Sequence, residues 1–264
     1  MKRKGVVSLV VACCLLMSFQ AVLAAPGTIN AKSPVAFSAP VPEELVQSMT
    51  KFMNSLPRFY ISGTANYDKI YQDNDKIQYS FDFDYYVKRP GEFQINLDGD
   101  LQKKQILFNG KNLTIYDEDK ALYAVIDTPP TIDAALDMAA NDYGMNLAIL
   151  DVARSNFAGN LLQDVVKSVY VGKSNVGDIP CHHVAFAKKD RNIQVWIEDG
   201  EKPFLRKVVI TYKGHPAMPT WIFEVTDWNL SPELPEGWST FAVKPGMART
   251  TFLKPSEKAI AETK

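Results

Sequence analysis

The chain has 264 residues, 46% of them apolar, with 29 basic and 30 acidic side chains. That apolar content suffices for a sizeable core, and the balanced, mixed-sign charge excludes the electrostatic footprint of a nucleic-acid binder. Cysteine is scarce, and two of the three, Cys13 and Cys14, sit near the N-terminus, which excludes a disulfide-stapled scaffold.

Taken in chain order, the first signal is one of export. Lys2-Arg3-Lys4 precedes an apolar run from Val6 to Leu23, broken only by Ser8, Ser18 and Gln20, and Val22-Leu23-Ala24 closes it with small residues. This order predicts a secretory signal peptide over residues 1–24, cleaved before Ala25, and hence a periplasmic protein that is not integral to the membrane after cleavage. Two alternatives attach to the same segment. The run is about long enough to stay in a bilayer as an anchor, against which the cleavage pattern argues. Val10-Val11-Ala12-Cys13 has the shape of a lipoprotein cleavage site, but the apolar run continues past it. Without the three basic residues of the signal, 26 basic face 30 acidic side chains, a net charge of −4, and Cys181 remains the sole cysteine.

Residues 25–42, rich in Pro, Ala and Ser, read as a flexible leader. Leu45, Val46, Met49, Phe52, Met53 and Leu56 then recur at helical spacing, which predicts an amphipathic helix over 43–56 ended by Pro57. From Ile77 to Val87 the period changes to two. Ile77, Tyr79, Phe81, Phe83, Tyr85 and Val87 alternate with Gln78, Ser80, Asp82, Asp84 and Tyr86, the pattern of a strand with one apolar and one wet face. Further strands are predicted at Arg58–Asp68, around Phe93–Leu97, at Gln105–Phe108, through the Asn109-Gly110 hairpin signal into Asn112–Tyr116, and at Ala121–Ile126. Residues 131–165 form a helical insert, with Ile132, Ala135, Leu136 and Ala139 on one face and Gly144 suited to a C-cap; Leu147–Val152 and Asn160–Val166 read as shorter helices. Strands resume at Ser168–Lys173, Cys181–Lys188, Asn192–Glu198, Leu205–Tyr212 and Thr220–Trp228, with a last short one near Ala248–Phe252. Residues 253–264 read as a polar tail. The order predicts a mainly β (α+β) fold, a single β domain over 43–252 built on one highly curved antiparallel sheet with helices against one face.

Several stretches carry a family resemblance. Lys88-Arg89-Pro90, Phe108-Asn109-Gly110-Lys111-Asn112-Leu113-Thr114-Ile115-Tyr116, Pro129-Pro130-Thr131-Ile132-Asp133, Tyr170-Val171-Gly172, Cys181-His182-His183-Val184-Ala185-Phe186, Gln194-Val195-Trp196-Ile197 and Val209-Ile210-Thr211-Tyr212 resemble a bacterial family of predicted periplasmic proteins with only a domain-of-unknown-function label. That family is similar in turn to the outer-membrane lipoprotein carriers and receptors of the LolA/LolB kind. The resemblance implies an unclosed half-barrel of about eleven strands with helices in its concave side, where such carriers hold acyl chains.

The candidate site residues follow from the aromatic alternation. Tyr79, Phe81, Phe83, Tyr85, Phe93, Ile95, Phe108, Trp196, Trp221 and Phe223 are expected on an apolar concave face that binds a lipid, an acyl chain or another apolar ligand, with packed core as the competing interpretation. No cofactor is expected. Cys181-His182-His183 invites a zinc assignment, but neighbours on a strand face opposite ways, and Cys181 with His183 supplies two ligands where a closed site needs about four. The same pair lacks an orienting third group for nucleophilic catalysis, and there is no Gly-x-Ser-x-Gly elbow. Asp82/Asp84 and Asp117/Glu118/Asp119 read as solvated surface, and Asn112-Leu113-Thr114 as an incidental sequon. The expectation is therefore a non-catalytic periplasmic carrier or binding protein; an envelope protein partner held by a module with a filled core is the alternative.

Overall fold

The computed structural model describes residues 39–145, 148–252 and 254. The signal segment 1–24, the leader up to residue 38 and all of the polar tail except Lys254 lie outside the described residues, as do Asn146 and Leu147, the latter the expected first residue of the second helix.

The described chain opens with α1 (Pro42–Ser55). Pro42 in its first turn and the acidic Glu43 and Glu44 suit a helix N-terminus, where the free N–H groups and the dipole favour negative charge. Val46, Met49, Thr50 and Met53 form its buried stripe. Leu56 is extended because Pro57 crowds the helical conformation of the residue before it.

Twelve strands then build one sheet: β1 (Arg58–Ile70), β2 (Lys76–Lys88), β3 (Glu92–Gly99), β4 (Gln102–Phe108), β5 (Asn112–Asp117), β6 (Leu122–Asp127), β7 (Lys167–Val176), β8 (Ile179–Ala187), β9 (Arg191–Glu198), β10 (Leu205–Tyr212), β11 (Thr220–Asn229) and β12 (Ala248–Arg249). Their spatial order is β12-β6-β5-β4-β3-β2-β1-β11-β10-β9-β8-β7, an open sheet. Each half of the chain is a meander of hairpins, and all pairs are antiparallel except β12 with β6. The two meanders join where β1 pairs with β11, Gly63 opposite Val225 beside a register shift. A Cβ at Gly63 would lie 1.9 Å from the carbonyl oxygen of Glu224, so only glycine allows the strands to approach this closely.

The period-two alternation persists across the sheet. Phe59, Ile61 and Ala65 on β1 face inward, with Phe81, Phe83, Tyr85 and Val87 on β2, Phe93, Ile95 and Leu97 on β3, and Phe223 and Val225 on β11. Between β6 and β7 the chain lays three helical pieces against this inner face: α2 (Ile132–Tyr143), a 3-10 segment (Ala148–Ala153) and α3 (Phe157–Leu162). Thr131 caps α2 through its hydroxyl, and Gly144, with φ of 65°, ends it in the left-handed conformation. Ile132, Ala135, Leu136, Ile149, Leu150, Val152 and Phe157 join the strand residues in one core.

Polar contacts fasten these helical pieces at one end of the sheet. Arg89 donates from Nη1 to Ala153 O at 2.7 Å, Asn54 from Nδ2 to Ser155 O at 2.6 Å, and Ser155 from its hydroxyl to Asp133 at 2.6 Å. Arg154 bridges Asp137 and Asp151 at 2.7 and 2.8 Å. We refer to this as the closed end.

Two features depart from the sequence-based expectation. The third helical piece starts and ends earlier than predicted, Phe157–Leu162 in place of Asn160–Val166, and it cannot extend to Val166, which already donates to Ala187 O alongside β8. Residues 230–247, which carry no strand or helix period, form a strap across the outer face of the sheet before the chain adds β12 to the β6 edge. Ser239 donates to Glu92 at 2.9 Å, and the ring of Phe241 sits 5.3 Å from Tyr116 and 5.1 Å from Tyr123.

Candidate functional site

At the end of the sheet away from the fastened helices, the inner face is not filled. A cavity of about 760 Å³ lies there, within the range of pockets that hold one small ligand. Its wall comes from strand residues that continue the inward alternation: Tyr67 on β1, Phe81 on β2, Leu97 on β3, Ile106 on β4, Ile115 on β5, Ala124 on β6 and Trp221 on β11. Met145, Ile149 and Phe252 cover it from the other side. α2 ends at Gly144, and among the described residues Gly144, Met145, Ile149, Thr250 and Phe252 line the cavity from beyond α2. A second, smaller cavity of about 120 Å³ lies under α3, and Trp221 lines both.

The ten residues expected on the concave face divide into groups. Phe81 and Trp221 line the large cavity, and Phe223 with Trp221 lines the small one. Phe83, Tyr85, Phe93, Ile95 and Phe108 face inward but are packed beneath the helices as core; Phe83 stacks on Phe223 with ring centroids 4.5 Å apart. Tyr79 stands at the hairpin end, its hydroxyl 2.7 Å from that of Tyr71, and does not line the cavity. Trp196 is a correction. Its neighbours Val195 and Ile197 are the inward residues of β9, so Trp196 projects from the outer face. There it stacks on His183 at 4.0 Å and donates from Nε1 to Ser174 at 2.9 Å. Ile77, assigned to the same apolar face of β2, is 47% exposed, because the β1–β2 hairpin runs beyond the covered part of the sheet.

Sequence reading missed Leu97, Ile106, Ile115, Met145 and Ile149, and the aromatic Tyr67, Tyr212 and Phe252. For Leu97, Ile106 and Ile115 the signal that could have found them is the inward parity of β3, β4 and β5: Leu97 lies opposite Phe83, and Ile106 and Ile115 continue the row of Tyr85 and Ile95.

The mouth is polar. Lys120, 68% exposed, lies beside Gln102, Lys104 and Asp117 on the inner rim. Burial pushes the Asp117 carboxyl up, but hydrogen bonds from the Lys120 ammonium and backbone N–H outweigh this and hold it below the usual carboxylate range. Across the cavity, burial raises the Tyr212 hydroxyl above its ordinary value, so it stays a neutral donor.

The Cys181-His182-His183 run divides between environments. His182 contacts the Tyr170 hydroxyl at 3.0 Å and Asp199 at 2.9 Å, whereas His183 meets Gln194 at 3.0 Å on the outer face. Cys181 is fully buried, and burial pushes its thiol up to about 11, away from the thiolate that metal binding or nucleophilic attack requires. Among the described residues, no group of three or more His, Cys, Asp or Glu side chains is placed to hold a metal ion.

The chain belongs to the family described as Predicted periplasmic protein (DUF2092), which matches residues 42–253. No curated protein matches it in sequence. Among solved structures it is similar to the lipoprotein LppX of Mycobacterium tuberculosis, at 11% identity and a TM-score of 0.45, over 75% of this chain and all of that one. It is similar to LprF of Mycobacterium bovis, at 15% identity and a TM-score of 0.46, over 75% of this chain and 99% of the other. The LolA superfamily protein NE2245 of Nitrosomonas europaea matches at 12% identity and a TM-score of 0.35, over 77% of this chain and 99% of that one. No helix among the described residues is long and apolar enough to cross a membrane.

Proposed function

We propose that this member of a predicted periplasmic family is a non-catalytic carrier or binding protein that holds a lipid, an acyl chain or another apolar ligand between its sheet and its helical cover, after export and removal of residues 1–24. The observation that carries this is the cavity of about 760 Å³, walled by aromatic and aliphatic side chains that continue the buried core. An apolar space of this size, with its charged side chains gathered toward its mouth, gains free energy by exchanging water for hydrocarbon, at roughly 25 cal/mol per Å² of apolar surface. A catalytic site needs converging polar groups deep in the cavity, and away from the charged mouth its wall offers chiefly the hydroxyls of Tyr67 and Tyr212.

The test is gentle purification of the mature protein, followed by native mass spectrometry, lipid extraction and titration with a fluorescent fatty acid. Bound lipid or saturable micromolar binding is expected, weakened by Ile106→Arg inside the cavity. Neither lipid nor fatty-acid binding in the wild type would overturn the reading.

A second reading, contact with an envelope protein partner, has one observation in its favour. β7 ends the sheet order; Val169 and Val171 on it are 40% and 52% exposed, and Val166 just before it is 74% exposed. An uncovered apolar strand edge can accept an added strand. This reading predicts that a charge at Val171 abolishes co-purification of a partner without changing ligand binding.

A further inference from the structure

Alternation sorts the charges of β3–β5 between the two faces of the sheet. Asp98, Lys103 and Glu118 cluster outside, with Lys103 Nζ 3.4 Å from Asp98 and 3.6 Å from Glu118. Lys104 and Asp117 point inward, directly opposite each other in register. They are the charged strand residues on an inner wall otherwise built from side chains such as Leu97, Ile106 and Ile115.

The inner pair is not electrically balanced once its neighbour is included. Asp117 already accepts from Lys120 Nζ at 2.9 Å and from the Lys120 backbone N–H at 3.2 Å. The hydrogen bond of the Lys104 ammonium goes instead to the neutral Gln102 Oε1, at 3.4 Å. Among the described residues lining this mouth, two ammonium groups therefore face one carboxylate. Lys104 is half-buried against low-dielectric wall, where an excess charge acts over a longer range than at an open surface. An ammonium has three donors, and one long bond to Gln102 leaves capacity for an incoming acceptor.

We propose that the cavity takes an amphiphile with an anionic head group, carboxylate or phosphate, whose head meets Lys104 and Lys120 while its tail runs inward along Phe81, Ile106 and Trp221. The proposal rests on the apolar-ligand reading and narrows it: a neutral head would leave the Lys104 charge uncompensated at the edge of a greasy wall.

The experiment uses the mature protein and competition against a fluorescent fatty acid by three single-chain amphiphiles of equal length: a long-chain carboxylic acid, the corresponding alkyl phosphate and the methyl ester of the acid. At least one anion is expected to bind about tenfold more tightly than the ester, the size of one charge-assisted hydrogen bond, with the advantage shrinking as salt is raised. Lys104→Met should remove that advantage, so that the anions and the ester bind alike, and Lys104→Arg should keep it. Lys103→Met, on the outer face, serves as the control and should keep it too. A preference for the carboxylate alone, the phosphate alone or both supports the proposal and identifies the head. Ester binding equal to both anions, or an anion preference that survives Lys104→Met, overturns it while the apolar-ligand reading stands. Failure of all three to bind overturns both.

Discussion

At the scale of single residues, the molecule is set by a few positions where geometry leaves no choice. Gly63 is one: with the Glu224 carbonyl 1.9 Å from where a Cβ would sit, Gly63→Ala must push β1 and β11 apart at the seam between the two meanders. We expect a loss of about 2–4 kcal/mol in urea unfolding, at the upper range for overpacking. Cys181 is another. Fully buried and with its thiol pushed up by burial, it should resist alkylation at pH 8 in the native protein and react promptly in denaturant; equal rates in both states would show that its strand opens readily. Residue-scale reading of the sequence succeeded where alternation was long, as from Phe81 to Val87, and failed at Trp196. A Gln-Val-Trp-Ile run offers two parities, and aromatic character favoured the wrong one. The inward set is fixed by pairing, Val195 opposite Val208, which a single strand cannot reveal.

At the scale of elements, the helical pieces divide the inner face into a packed half and a hollow half. The packed half is pinned by Arg89, Arg154 and Ser155, whereas the cover of the hollow half hangs on the stretch after Gly144. Saturation with an apolar ligand should therefore slow amide exchange at Met145 and in residues 148–153, and leave the first turns of α2 unchanged. Uniform protection across α2 would mean that the cover moves as one body. The strap predicts a different separation. Phe241→Ala removes a ring packed on Tyr116 and Tyr123 outside the sheet, and should cost about 1–3 kcal/mol of stability without altering ligand affinity. Neither the strap nor its path was legible in sequence. Residues 230–247 have no period of three to four or of two, and their few anchors, Trp238, Ser239 and Phe241, acquire meaning only against the face they cross. The helices were legible in outline, because Pro57, Thr131 and Gly144 mark ends by backbone chemistry that does not depend on tertiary context.

At the scale of the whole molecule, stability should depend on acid through its depressed carboxyls, Asp68 and Glu92 among them. Burial alone would raise Asp68, but hydrogen bonds from Thr220 N and Oγ1 at 2.8 and 2.6 Å, with Lys76 at 3.2 Å, hold it below the usual range. Glu92 is held down likewise, against its burial, by Lys88 and Ser239. A carboxyl depressed by folding adds stability that is present above its unfolded value, about 4, and is lost as pH falls through the folded value. Denaturant midpoints should be level near neutrality and fall below about pH 4, and Asp68→Asn should flatten that fall while lowering the neutral plateau. One curved sheet with helices on one face was legible from periodicity and element order, since about six strands, a helical insert and a further run of strands leave few other arrangements; its half-barrel form was implied by the family resemblance. The cavity was not, because the same inward aromatics serve as core under the helices and as wall beyond them; Phe83 and Phe81, two residues apart, differ only in what lies above.

That difference is the centre of the account, and photo-crosslinking tests it most directly. A fatty acid carrying a diazirine in its chain, irradiated on the intact mature protein and mapped by peptide mass spectrometry, should label Met145, Ile106 and Trp221, with competition by unlabelled fatty acid. Labelling confined to the outer face around Trp196 or to the β7 edge, with none at those three residues, would contradict it.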